Sequence, residues 1–265
     1  MSCLKRFLKA PVHDYNDARN IPSVVGTSRI SAHLHFGEIS PRQIMHVLCQ
    51  GDDHLKNLSG GEEVFAKEVI WREFAYSLLY HFPHTVKKPL DKRFENFPWE
   101  TRIKKNLTAW QRGMTGVPIV DAGMRELYAT GWMHNRVRMI AASYLIKNLL
   151  ISWQFGEKWF RDTLVDADLA SNVMGWQWAA GSGADAAPYF RIFNPVLQGE
   201  KFDKSGDYVR KWVPEIASVP DKFLHKPWEL NASDRGQLDY PAPLVDLKES
   251  RRRALAAFDK IKVAI

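Results

Sequence analysis

At 265 residues with 45% hydrophobic composition, the chain carries enough apolar material for one large domain or two small ones, which excludes a disordered chain. Lys and Arg number 37 against 30 Asp and Glu, a formal charge of +7 with a pI near 9.3, a balance that suits a polyanionic partner without establishing one. The only cysteines, Cys3 and Cys49, have no CxxC spacing, which excludes a disulfide framework and makes a reducing, intracellular, cytoplasmic setting the expectation.

The N-terminal stretch M-S-C-L-K-R-F-L-K-A-P-V-H-D-Y is briefly amphipathic but lacks a long apolar core and a cleavage site, so no secretion signal is read there. G-T-S-R-I-S, Gly26 to Ser31, sets hydroxyls and backbone N–H groups in a row that can hold phosphates in a turn. It lacks the lysine of a P-loop, and a capped turn explains it equally. Ser40 as N-cap and Pro41 in the first turn predict a helix through Ile44, Val47 and Leu48, which Gly51 to Gly61 interrupts. A second helix is predicted from Glu62 to Phe82, ending before Pro83, with Phe65, Val69, Trp71, Leu78 and Leu79 inward. Val86 to Thr108 reads as a connecting loop with short helical turns.

Further helices are predicted at Ile119–Thr130, Asn135–Trp153 and Glu157–Leu164, and an amphipathic one near Glu249–Ile265. The apolar run Met139 to Trp153 is interrupted by Ser143, Lys147 and Asn148 and falls short of the roughly 20 residues a bilayer span needs, so it reads as a buried helix. Ala179 to Ala187 is small and Gly-rich, unlike a helix face. Strand alternation and internal repeats are lacking, and helical periodicity dominates from Pro41 onward.

Helical spacing makes Asn135, Arg138 and Met139 neighbours, bringing an amide, a cation and a thioether to one spot. Glu68, Trp71 and Arg72 repeat that geometry, as a grip for a flat heteroaromatic ligand or as a surface ion-pair face. Asp166 and Asp168 fit a turn, with Asp168 capping a helix that contains Asn172 and Arg138 a candidate partner for one of the carboxylates. No metal is expected, because the DxD pair lacks further ligands and His33, His35, His46, His81, His84 and His134 fall at no triad spacing. His134 reads as a hydrogen-bonded structural residue, and no G-x-S-x-G elbow points to hydrolysis. Among ten tryptophans, Trp176 and Trp178 lie two residues apart. Packing alone would more readily choose leucine or phenylalanine there, so stacking surfaces or electron relays are the alternatives.

Four motifs occur in order: Y-N-D-A-R-N-I-P-S-V-V-G-T-S-R-I-S at Tyr15 to Ser31, W-R-E-F at Trp71 to Phe74, T-G-V-P-I-V-D-A-G-M-R at Thr115 to Arg125, and A-P-Y-F-R-I-F-N-P at Ala187 to Pro195. With the stretches around Asn135 and Asp166, they resemble the C-terminal flavin-binding half of class I cyclobutane pyrimidine dimer photolyases, of the photolyase/cryptochrome family, over nearly the whole chain. The resemblance implies an all-helical FAD-binding and DNA-repair domain over residues 1–265, with 1–20 as a lead-in from an N-terminal α/β antenna domain that is missing here. It also implies bent FAD, active when reduced, below a cavity for a flipped-out dimer, and no antenna chromophore site.

Carried over by that resemblance, Tyr15, Thr27, Ser28, Arg29, Ile30, Ser31, Arg138, Asp166, Ala167, Asp168 and Asn172 hold the cofactor, with Asn172 facing flavin N5. Glu68, Asn135, Met139, Trp71 and Trp178 meet the dimer as the catalytic set, and Trp176, Trp153 and Trp99 form a relay that photoreduces oxidised FAD. Arg19, Glu68, Trp71, Arg72, Asn135, Arg136, Trp178, Gln198 and Lys201 are the DNA-contact candidates. The resemblance implies a carbon–carbon lyase that splits pyrimidine dimers by light-driven electron transfer. The expected partner is UV-damaged DNA rather than a membrane, the expected state a monomer, and a separate antenna domain a further partner. The alternatives are a cryptochrome-like blue-light sensor and a catalytically inactive flavin- and DNA-binding fragment.

Overall fold

A computed structural model describes residues 2–49, 58, 60–186, 188–189 and 191–262. Every regular element among them is helical, which is the expected all-α class. The helix Leu169–Ala180 is the hub: it packs on Trp153–Thr163, on the long helix Gly60–His81 and on Asn135–Ser143. Pro118–Thr130 lies behind it, against Asn135–Ser143 and Asp207–Trp212. The main core fills this layer with Trp110, Met124, Leu127, Met133, Val137, Ile140 and Tyr144. The N-terminal helix Ser2–Lys9 and Tyr15 build a second cluster with Phe65 and Ile44, and Leu247–Lys262 closes a third around Phe94, Phe97 and Tyr189.

Local chemistry sets several boundaries. Ser40 and Gln43 form a full capping box at the start of Pro41–Leu48. Asp168 caps Leu169–Ala180 by accepting the Ser171 N–H at 2.7 Å, and Gly181, left-handed at φ 80°, ends that helix. The helix therefore includes Ala179 and Ala180, which were expected in a non-helical run. Of the other expectations, positions 51–57 and 59 of the Gly51–Gly61 break lie outside the described residues, as do Ala187, Phe190 and 263–265.

Two further expectations are corrected. The segment Asn135–Trp153 is not one helix: Asn135–Ser143 runs into a π-turn at Tyr144–Asn148, where the Leu149 N–H reaches back to Tyr144 O at 3.0 Å. Leu150 then turns left-handed (φ 53°), and Ser152 caps a new helix, so Trp153 opens Trp153–Thr163 instead of closing the one before it. The apolar run hid the break because both pieces are buried, and burial carries no trace of a change in helical pitch. Trp71 is likewise not inward: Phe65 and Val69 are buried, but Trp71 is 43% exposed on the helix flank that faces a cleft.

Candidate flavin and nucleic-acid site

A cleft of about 520 Å³ opens between Gly60–His81, Asn135–Ser143 and Leu169–Ala180, joined to a second lobe of about 320 Å³ through shared walls at Arg19, Glu68, Asn135, Arg138 and Asp166. The first lobe has an apolar floor of Phe160, Leu164, Trp176 and Ala142, with Met139, Ala167, Asn172, Trp71 and Trp178 around it. The second lobe is lined by Tyr15, by the loop residues Thr27, Ser28, Arg29 and Ile30, by Ser31 at the start of the helix Ser31–His35, and by Asp168. Arg29 holds a left-handed backbone (φ 52°) and lays its guanidinium over Trp132, 4.3 Å from the ring centroid.

The polar groups of the two lobes are organised in pairs. Arg138 grips Asp166 with two bonds of 3.1 and 2.9 Å, and the Ser31 hydroxyl donates to the same carboxylate at 2.6 Å. Burial pushes Asp166 up, but Arg138 and Ser31 outweigh it and hold the carboxyl below its ordinary value. Glu68 pairs with Arg19 at 2.7 Å, and Arg19 also lies over the Tyr15 ring. Asp168 accepts from the Tyr76 hydroxyl, with Arg72 at 3.8 Å; burial and that carboxylate raise Tyr76 to about 12. Asn172 donates from Nδ2 to Glu157 O at 3.0 Å and to Glu157 Oε1 at 3.1 Å. Burial raises Glu157 against the opposing pull of Arg161 and Asn172.

The geometry thus gathers all eleven cofactor candidates and all five catalytic candidates around the two lobes, with Arg19 and Arg72 on the shared wall. Other candidates lie elsewhere. Trp176 lines the cleft floor, whereas Trp153 is buried in the main core and Trp99 sits where the main and third clusters meet. Arg136 stands over the Phe202 ring at 4.4 Å and bonds Asn20, Lys201 lies over the same ring, and Gln198 shares the helix Pro195–Phe202 with Lys201; none of the three candidates lines either lobe. His134 caps Asn135–Ser143 by accepting the Arg136 N–H at 3.2 Å, and burial together with the surrounding arginines lowers it to about 4, a neutral structural histidine.

Sequence reasoning missed Tyr76, Glu157, Phe160 and Ser171. Tyr76 was within reach, being one turn beyond Arg72 on the same helix face. Glu157 was not, because it meets Asn172 only through the packing of two separate helices.

A family model for the FAD binding domain of DNA photolyase matches residues 65–260. The chain is 51% identical to a deoxyribodipyrimidine photo-lyase of Agrobacterium fabrum, over 98% of this chain and 55% of that protein. It is 48% identical to the one from Escherichia coli, over 97% and 54%. A crystal structure of a bacterial class III photolyase from Agrobacterium tumefaciens superposes with a TM-score of 0.91 at 50% identity, covering 98% of this chain and 55% of that one. The chain spans about half the length of the curated relatives it matches. On the family match and on a cleft whose polar and apolar halves suit a flavin nucleotide, the chain belongs to the DNA photolyase family and carries its FAD-binding domain.

Proposed function

We propose that this chain, over residues 1–265 with 1–20 as its lead-in, repairs cyclobutane pyrimidine dimers in DNA in a light-dependent reaction. The observation that carries this reading is the Asn172 amide, tied through Nδ2 to Glu157 in a cleft whose walls include Trp71 and Trp178. FAD fits the two lobes. The segment Thr27–Ser31 offers hydroxyls and a cation to phosphates, with Tyr15 beside it; the ion-paired Arg138 and Asp166, with Ala167 and Asp168, offer hydrogen-bonding edges; and Phe160, Leu164 and Trp176 offer an apolar floor. When bound, reduced, and excited by light, FAD supplies the electron that opens the cyclobutane ring and receives it back.

The chain's own residues do the positioning. Asn172 accepts a hydrogen bond from a ring N–H, which favours the reduced flavin. Trp71 and Trp178 replace the stacking a flipped base pair loses on leaving the duplex. Glu68 and Asn135 bind the pyrimidine edge, with Arg19 keeping the Glu68 carboxylate in place, and Met139 packs against the dimer. Arg19 and Arg72, with Arg136, Gln198 and Lys201 farther along the surface, take backbone phosphates. Trp176, Trp153 and Trp99 pass electrons inward when the flavin is oxidised.

The test is repair itself: the purified chain is loaded with FAD, reduced, and illuminated with an oligonucleotide containing one thymine dimer. Restored thymines in the light and none in the dark are expected. FAD bound with dimers surviving illumination overturns the repair reading and leaves a sensor or an inactive flavin- and DNA-binding fragment.

A further inference from the structure

A hollow of about 320 Å³ opens between the helical turn Lys92–Asn96 and the C-terminal end of Leu247–Lys262. Lys92, Arg93, Asn96, Pro98, Lys260 and Ile261 line it, so its charged walls are three cations and no carboxylate. Arg93 is already committed to Asp91, Nη2 to Oδ2 at 2.6 Å. Lys92 and Lys260 have no carboxylate partner among the described residues, since Asp259 pairs with Lys262 at 2.9 Å and Glu100 accepts the N–H groups of Thr101 and Arg102. Unpaired cations around one concavity raise its potential and draw an anion into it. The hollow also adjoins Trp99: Pro98 precedes that residue in the chain, and Ile261 belongs to the third cluster, on which Trp99 packs. Trp153 and Trp176 are buried, whereas Trp99 is only half-buried, the member of the series nearest solvent.

We propose that this hollow is the docking site of a small anionic one-electron reductant, held by Lys92 and Lys260 while it reduces the Trp99 radical cation from outside. This rests on the reading that Trp176, Trp153 and Trp99 carry electrons toward the cleft. One electron leaves the docked anion and enters the indole. Trp99 returns to its neutral form, the donor becomes one unit less negative, and no proton moves. A concavity of one sign raises the encounter rate of an oppositely charged molecule by about 10- to 1000-fold at low ionic strength, which sets this donor ahead of neutral ones. The same charge favours turnover, because the oxidised donor has lost part of its attraction to the two ammonium groups and leaves.

The test uses the FAD-loaded chain with oxidised flavin under flash excitation, reading the decay of the tryptophan radical by transient absorption. Ferrocyanide, an anion, is set against hydroxymethylferrocene, a neutral donor of similar potential. At low ionic strength ferrocyanide is expected to reduce the radical about 10-fold faster or more, an advantage that added salt removes. Lys92→Glu combined with Lys260→Glu is expected to erase that advantage while leaving the neutral donor's rate unchanged and, both lysines being exposed, the melting temperature close to the parent's. Lys5→Glu combined with Lys9→Glu, on the helix Ser2–Lys9 of the second cluster, makes the same change in net charge and is expected to keep most of the advantage. Equal losses in the two double variants overturn the docking site, since the steering then belongs to the whole +7 chain. No advantage for ferrocyanide in the parent overturns it as well, and either result leaves the relay standing. No tryptophan radical at all overturns the relay and, with it, the role of the donor. The site has its own readout in the flavin-free chain, where ferrocyanide is expected to shift the amide resonances of Lys92, Asn96 and Lys260; an anion that moves none of them overturns the site by itself.

Discussion

The side-chain amide of Asn172 donates through Nδ2 to Glu157 twice, to the carbonyl at 3.0 Å and to Oε1 at 3.1 Å. Both partners are acceptors, so the amide cannot turn over without setting its oxygen against theirs. Oδ1 is left without a partner among the described residues, an acceptor available to a ligand group that donates.

That pairing makes Asn172→Asp a sensitive probe. The substitution sets a second carboxylate against Glu157, whose own carboxyl is already raised by burial, and the two then share one proton. A group raised on folding gives stability that is present below its unfolded pKa and lost as pH rises through the folded value. Asn172→Asp is thus expected to melt near the parent in mild acid and to lose about 1–3 kcal/mol by slight alkalinity. Parallel melting curves across the pH range would show that Glu157 does not orient this side chain.

The ion pair between Arg138 and Asp166 titrates in the opposite sense. Asp166 is held below its ordinary value, so its contribution is full above the unfolded pKa and falls away as pH drops through the folded one. Arg138→Leu strands a carboxylate whose side chain is only 2% exposed, with an expected cost of about 3–5 kcal/mol at neutral pH by urea unfolding. Adding Asp166→Asn to that variant is expected to recover part of the loss. A double variant as unstable as the sum of the two singles would mean that the pair is not coupled.

The sequence made this half of the site legible because its signals are local. Asn135, Arg138 and Met139 fall on one face by helical spacing, and Asp168 announces its cap just ahead of an apolar run. What stayed hidden depends on packing between distant segments. The π-turn at Tyr144–Asn148 leaves apolar content unchanged while shifting every later side chain, which is why Trp153 was assigned to the wrong helix. Trp71 was placed inward because a tryptophan at helical spacing scores as core, although a cleft wall needs the same residue half exposed. Asp121 shows the same limit from the other side. Its motif, T-G-V-P-I-V-D, could be read, but its bonds to Thr115 and to the Tyr240 hydroxyl, which lies far along the chain, could not.

Two glycines separate packing from the cleft. A methyl group at Gly156 would fall 2.1 Å from Cη2 of Trp176, so Gly156→Ala must displace the indole that floors the first lobe. A cost of about 1–3 kcal/mol is expected, together with weaker FAD retention. Gly175 lines the same cleft with nothing within 4 Å of its added methyl, and it sits mid-helix. Gly175→Ala is expected to raise flavin-free stability by about 0.5–1 kcal/mol. Calorimetry of the two flavin-free variants checks both signs, and equal melting shifts would contradict the packing of Trp176 against Gly156.

Trp71 and Trp178 face the same cleft from different footings, so their alanine variants should separate binding from folding. Trp71 is exposed and leans edge-on against Phe74, with ring centroids 5.5 Å apart, while Trp178 is partly buried against the main core. Trp71→Ala is expected to lower the melting temperature less than Trp178→Ala does, since 43% of the Trp71 surface already faces solvent. Base stacking on an aromatic side chain is worth about 1–3 kcal/mol, so the same variant is expected to weaken binding of a dimer-containing oligonucleotide by about 5- to 150-fold. Trp178→Ala is expected to show a similar loss of affinity together with a measurable drop in stability, both with FAD still bound. Fluorescence anisotropy in the dark at fixed salt, set beside melting curves, checks the pair. Undiminished affinity in Trp71→Ala would remove Trp71 from the dimer pocket, and loss of the flavin in Trp178→Ala would assign that ring to the cofactor instead.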